Sequence, residues 1–193
     1  MKTSIIDHKN IYYPPGGILL WIIIYLELIT FGMGLIAMAY YSKQEPESFH
    51  TSRLLLNSTY GMINTLFLLT SGACMAASVN ELKVKNNKKG KQYLLLTILF
   101  GGLFLGLKTL EYYDKIKGGL EMGYNTFFNF YWMLTLFHVI HVIVGLVILV
   151  VIYFGIKNEN LNTQIDDIES GAAFWHMCDL IWLLLFPVVY LIF

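Results

Sequence analysis

"YNTFFNFYWMLTLFHVIHVIVGLVILVVIYFGI", residues 124–156, runs for 33 residues without one lysine, arginine, aspartate or glutamate. A helix needs about 20 apolar residues to cross the hydrocarbon of a bilayer. This stretch is longer, so it predicts a membrane-spanning helix that tilts or projects at one end. Working outward, four more apolar runs appear at residues 16–41, 54–79, 93–113 and 171–193, each 21 residues or longer. The 93–113 run is the weakest, because Lys108, Glu111 and Lys117 crowd its end.

The pattern predicts an all-α polytopic membrane protein, a bundle of five transmembrane helices. The linkers are short and polar: "SKQEPESFHTSR", "NELKVKNNKKGK", "DKIKGGLEMG" and "KNENLNTQIDDIES". None has room for a soluble domain, and no internal repeat stands out. The expected organisation is an N-terminal segment, 1–16, followed by one transmembrane domain, 17–193. The 16–41 run exceeds the roughly 7–15 residues of a signal-peptide core, so it is expected to stay in the membrane.

Basic residues set the expected orientation. Lys2, Lys9, Lys83, Lys85, Lys88, Lys89, Lys91 and Lys157 fall on the side of the N-terminus, against Lys43, Arg53, Lys108, Lys115 and Lys117 on the other. The N-terminus, with its segment 1–16, is therefore expected inside, and the C-terminus outside. The chain is 56% hydrophobic and 13% charged, with a formal net charge of zero. No general attraction to nucleic acid follows from that balance. Cys74 and Cys178 lie in apolar runs without a CxxC spacing, which predicts buried thiols.

Small residues gather on two spans: Ser71, Gly72, Ala73, Ala76 and Ala77, then Gly101, Gly102 and Gly106. They permit close helix approach, and Gly102 and Gly106 fit a small-xxx-small pattern. Pro187 lacks a backbone donor and is expected to kink the last helix.

Ionisable groups within such spans cost about 2.5–3.5 kcal/mol at mid-membrane, so each needs a partner. Glu27 sits near the middle of "WIIIYLELITF" with no basic residue beside it. It is expected to carry its proton or to bond across to another helix. Two roles stay open for it, a proton-handling carboxyl and a structural tie. His138 and His141 are three apart on one helix face. Haem ligation, with His176 as the partner on another span, is weighed against hydrogen bonds or lipid contacts, which are favoured. Lys108 and Glu111 are expected to pair at the membrane interface beside Tyr112 and Tyr113. His176 and Asp179 share a face with Trp182, where they can act as helix-packing ties. No phosphate-binding glycine loop, nucleophile elbow or HExxH is present. These residues describe a membrane scaffold with buried polar pairs, not a self-contained enzyme.

Taken together, five stretches in order resemble subunit III of the haem-copper respiratory oxidases. "YLELITF" resembles the family's first core helix, with Glu27 as its buried glutamate. "INTLFLLTSGACMAAS" resembles the next, through Asn64, Thr65, Leu69 and Ser71. "LTILFGGLFLGLKTLEY" resembles the third, ending in Glu111 and Tyr112. Phe137, His138, His141 and Val142, with Gly145 after them, resemble the Phe-His-xx-His-Val pattern. Glu169, Trp175, His176, Asp179 and Trp182 resemble a glutamate followed by Trp-His-xx-Asp-xx-Trp. Lys108 departs from the family, where glutamine is common near that place.

The resemblance implies a helical bundle in which a two-helix arm, seen in longer members around a lipid-filled cleft, has no counterpart here. The chain is similar to short five-helix members, including quinol-oxidase subunits III and a NorE-like branch beside nitric oxide reductases. It implies an accessory subunit of a proton-pumping haem-copper terminal oxidase in aerobic electron transport, in the inner (plasma) membrane. Haem and copper would reside in subunits I and II, and none in this chain. The chain would pack on subunit I, meet subunit II and phospholipid, support proton uptake and slow turnover-linked inactivation. Glu27 is the candidate for tuning proton uptake. Asn64, Glu111, His138, His141, Glu169, Trp175, His176, Asp179 and Trp182 would be structural or lipid contacts. A membrane cytochrome anchor and a small transporter with Glu27 as proton site are the alternatives from other classes.

Overall fold

In lipid, a backbone must satisfy its own N–H and C=O groups, and a helix does so within one segment. The computed structural model describes residues 16–157 and 165–192. The helices are α1 (Gly17–Gln44), α2 (Pro46–Leu54), α3 (Ser58–Lys83), α4 (Asn87–Lys117), α5 (Thr126–Lys157) and α6 (Ile165–Pro187), and α6 runs on into a π-helical turn, Val188–Ile192. Five of these, α1, α3, α4, α5 and α6 with its π turn, are long and apolar enough to cross a membrane. The expected five-span, all-α architecture is what the chain forms. The segment 1–16, apart from Gly16, lies outside the described residues.

The helices overrun the apolar runs that announced them. α4 starts at Asn87, well before the 93–113 run, and α6 starts at Ile165, before 171. Hydropathy marks only the part that needs lipid, whereas capping decides where a helix starts. Asn57 accepts from the Thr59 N–H at 3.0 Å and Asn86 from the Lys89 N–H at 3.5 Å, each satisfying a first-turn donor. The linker "SKQEPESFHTSR" also holds a helix that hydropathy did not announce. Pro46 starts α2, where its missing N–H costs nothing. Phe49 is buried beneath it, edge-on to Phe127 with centroids 5.4 Å apart. Asn125 donates to Ser52 Oγ at 2.6 Å, and Lys115 donates to the Leu55 carbonyl at 2.5 Å. These bonds fasten α2 across that end of the bundle.

α3 and α4 form an antiparallel hairpin. α4 packs on α5, α5 on α6, and α6 back on α3, so four helices close a ring; α1 lies outside it, against α5 and α6. α1 accordingly leaves Leu19, Ile22, Leu26, Ile29, Met33 and Ile36 exposed, as a lipid-facing helix does.

Lipid tails are as apolar as leucine, so the ring is held by close packing and interhelical hydrogen bonds. Trp175 of α6, fully buried, is the clearest case. A Cβ at Gly101 of α4 would come within 2.7 Å of its ring, and one at Gly145 of α5 within 2.9 Å. Its indole N–H donates to Ser71 Oγ at 3.2 Å, and that hydroxyl donates to the Thr97 carbonyl at 2.8 Å. One side chain therefore joins α3, α4, α5 and α6. Gly102 and Gly106, the small-xxx-small pair, face open space and do not mediate packing within this chain. Beyond Pro187, whose ring nitrogen cannot donate, α-helical bonding gives way to the π turn.

Candidate functional site

Three groups of polar side chains lie inside the spans. The first is closed. Lys108 of α4 and Glu111 are 0% and 1% exposed. The Lys108 ammonium donates to Glu111 Oε2 at 2.9 Å and to the Tyr190 hydroxyl at 2.7 Å, with the Tyr131 hydroxyl 3.4 Å away. Tyr131 and Tyr190 both donate to Glu111 Oε1, at 2.9 and 2.6 Å. The ammonium also lies over the rings of Tyr112, Tyr131, Trp182 and Tyr190, with centroids 5.1 to 5.3 Å away. A buried ion pair is tolerated when further hydrogen bonds satisfy it, and here they do. The expected Lys108–Glu111 pair forms, and it is buried inside the bundle. Only Tyr113 points outward as foreseen, beneath Lys117 at 4.4 Å.

The second group crosses from α1 to α5. Glu27 Oε2 lies 3.2 Å from His141 Nε2, an ion-pair distance without hydrogen-bond alignment. His141 Nδ1 donates to the Phe137 carbonyl at 2.8 Å, which turns Nε2 toward the carboxyl. Phe31 and Phe137 pack on the imidazole, with centroids 5.7 and 4.6 Å away. When one proton sits between Oε2 and Nε2, the pair is neutral, as imidazolium and carboxylate or as imidazole and acid. The contact joins α1 to α5 in an apolar setting.

The third group opens outward. His176 Nδ1 is 3.4 Å from Asp179 Oδ2 on the same helix, with side-chain exposures of 44% and 10%. The cross-helix bonds of α6 are made by its tryptophans instead: Trp175 to Ser71, and Trp182 Nε1 to Thr65 Oγ1 at 3.0 Å. Near the start of α6, Glu169 pairs with Lys83 of α3 at 2.6 Å.

His138 and His141, three residues apart, have different surroundings. His138 is fully buried, stacked on Trp182 at 5.3 Å and edge-on to Phe104 at 5.8 Å. Its ring nitrogens and both amide atoms of buried Asn64 have no hydrogen-bond partner among the described residues. A haem anchor needs two imidazoles facing one plane, whereas here one histidine is walled by aromatics, one faces Glu27 and one sits beside Asp179. Among the described residues, no group of three or more His, Cys, Asp or Glu is placed to hold a metal ion. Tyr131 and Tyr190 are the site residues that sequence reasoning missed. A tyrosine within an apolar run was the available signal, since its hydroxyl must find a partner when buried.

A family model, "Cytochrome c oxidase subunit III", matches residues 55–192. The chain is 38% identical over 135 residues to the probable cytochrome c oxidase subunit 3 of Rickettsia felis, covering 67% of this chain and 46% of that protein. It is 33% identical over 133 residues to cytochrome c oxidase subunit 3 of Rhipicephalus sanguineus, covering 67% and 49%. Similarity to the cytochrome bo(3) ubiquinol oxidase subunit 3 of Buchnera aphidicola is 28% identity over 173 residues, covering 89% and 84%. The match thus spans about half the length of those cytochrome c oxidase relatives and most of the quinol oxidase one.

Proposed function

The chain belongs to the cytochrome c oxidase subunit III family, and from that premise we propose that it is the accessory subunit of a proton-pumping haem-copper terminal oxidase. It stabilises the catalytic subunit and supports its proton uptake, in the inner (plasma) membrane of the cell. Haem and copper belong to the partners, subunits I and II, and electrons do not pass through this chain. The family match over residues 55–192 carries the proposal. The internal chemistry agrees with it: the buried Lys108 and Glu111 are spent on each other.

Glu27 and His141 are the residues with a dynamic role in this proposal. Glu27 is the proton-uptake candidate, and its contact with His141 joins a peripheral helix to the ring. Orientation follows the lysines, with the α3–α4 turn, bearing Lys83, Lys85, Lys88, Lys89 and Lys91, on the cytoplasmic side. A cysteine at Lys88 should resist an impermeant thiol reagent in intact cells and react after lysis; labelling in intact cells would reverse the orientation.

The test is isolation of the tagged chain from native membranes in mild detergent, with an optical spectrum and subunit identification. Haem bands together with an oxidase subunit I are expected. Recovery with a nitric oxide reductase instead would move the chain to the NorE-like branch, and a chain recovered alone and colourless would overturn the proposal.

A further inference from the structure

The turn between α3 and α4, "NELKVKNNKKGK" at residues 80–91, carries five lysines and one glutamate in a chain whose formal net charge is zero. An excess of lysine is usual wherever a turn faces the cytoplasm, and orientation needs only the count. The backbone that presents these charges adds something the count does not.

α3 ends in a Schellman motif. The Asn86 N–H donates to the Glu81 carbonyl at 2.9 Å, and the Lys85 N–H donates to the Leu82 carbonyl at 3.0 Å. Lys85 holds the left-handed position of that motif, at φ 60°, and is the one non-glycine residue with positive φ among the described residues. Glycine is the usual occupant, because it has no Cβ to crowd the backbone. A lysine stands there against the local preference. The turn is also firmly held. The Asn86 amide donates to Glu81 Oε2 at 2.6 Å, which occupies the one carboxylate of the turn. Ser78 Oγ donates to the Gly90 carbonyl at 2.8 Å, and a Cβ at Gly90 would come within 2.5 Å of Leu82.

Lys83 is spent on Glu169 of α6. Lys85, Lys88 and Lys89 are exposed and Lys91 is half-buried, and none of the four has an ion-pair partner among the described residues. Their depth follows from their neighbours. Leu95, the first exposed leucine of α4, lies six residues after Lys89, about 9 Å along the helix. Trp21 of α1 lines the same cavity as Lys83, and tryptophan favours the level of the head groups. The polar layer of a bilayer extends about 5–8 Å beyond the hydrocarbon on each side. The attraction of anionic head groups persists over a further 8–10 Å or so at ordinary salt. The lysines stand within that reach.

We infer that the α3–α4 turn is a binding surface for anionic phospholipid, with Lys85, Lys88 and Lys89 holding the phosphates of the adjoining leaflet. A zwitterionic head group brings its own ammonium, which these lysines repel, so the surface selects lipids of net negative charge. Head groups lie beside the turn at all times, whereas an acidic protein would have to displace them. The accessory-subunit proposal is not needed for this binding.

The test uses the full chain with its accompanying subunits, in vesicles of equal parts phosphatidylcholine and phosphatidylglycerol. A benzophenone side chain in place of Val84, 70% exposed on the turn, is photoactivated and the cross-linked molecules are identified by mass spectrometry. Adducts of phosphatidylglycerol should exceed those of phosphatidylcholine about fivefold or more, the preference conferred by one lysine near a charged surface. The excess should vanish when Lys85→Gln, Lys88→Gln and Lys89→Gln are combined, and shrink at high salt. Equal adducts in the wild type, an excess that survives the triple substitution, or cross-links chiefly to protein would overturn the surface. Lys85→Gly separates charge from fold. Thermal stability should hold or rise, because glycine suits the left-handed position, while the excess of phosphatidylglycerol adducts falls. Lower stability with an unchanged excess would overturn the assignment of Lys85 to the lipid.

Discussion

At the scale of residues, the groups to be explained are charges held in an apolar bundle. Lys108 and Glu111 are buried together, and each leans on Tyr131 and Tyr190. Removing one member of a buried pair strands the other, at about 3–5 kcal/mol, whereas replacing both with apolar groups is often neutral. Lys108→Ala should therefore lower the thermal stability of the detergent-solubilised protein markedly. The double change of Lys108→Met with Glu111→Leu should cost less than Lys108→Ala alone. A double variant as unstable as the sum of its parts would show that the pair itself supplies net stability. Glu27 makes a different prediction. Glutamine keeps hydrogen-bonding capacity toward His141 Nε2 but cannot carry the proton. Glu27→Gln should assemble at wild-type yield, while the complex loses activity over fewer turnovers or takes up protons more slowly. Normal activity sustained over many turnovers would reduce the Glu27–His141 contact to a structural tie.

At the scale of elements, α6 is the helix that the others are built around. Its Trp175 is pinched between Gly101 and Gly145, and its Trp182 reaches Thr65. Overpacking a fitted site costs about 1–3 kcal/mol. Gly101→Ala should destabilise the bundle by that order, and Gly145→Ala likewise. Gly102→Ala, facing open space one residue away, should be neutral or slightly stabilising because alanine is the better helix former. Equal thermal shifts for Gly101→Ala and Gly102→Ala would contradict this account of the packing. The spans were legible in the sequence because a bilayer demands long apolar runs, as residues 124–156 show. The helix ends were not, because Asn57 and Asn86 set starts through caps that hydropathy does not weigh. α2 was hidden for a related reason: its buried Phe49 is one apolar residue in a polar linker.

At the scale of the whole molecule, four helices close a ring and α1 lies against it. That separation explains which parts of the site could be read in advance. Glu27 and His141 each stood out as ionisable groups in lipid, yet their meeting depends on where α1 docks. Lys108 and Glu111, three apart on one helix, could be paired from spacing alone. Their burial could not, because Tyr190 arrives from the far end of the chain on a π turn. His176 and Asp179 were expected to bind α6 to its neighbours; Asp179 packs against Gly72 of α3, while the cross-helix hydrogen bonds described for α6 come from Trp175 and Trp182. A buried ion pair closed within the bundle, as Lys108–Glu111 is, suits a protein proposed to support a neighbour.

The most direct test of that role is the turnover lifetime of the oxidase complex, measured as oxygen uptake over successive turnovers with this chain present, stripped away and restored. Stripping is expected to leave the initial rate of the catalytic subunit largely in place but to shorten its active life, and restoring the chain to restore it. An active life unchanged by the chain's removal would contradict the accessory role.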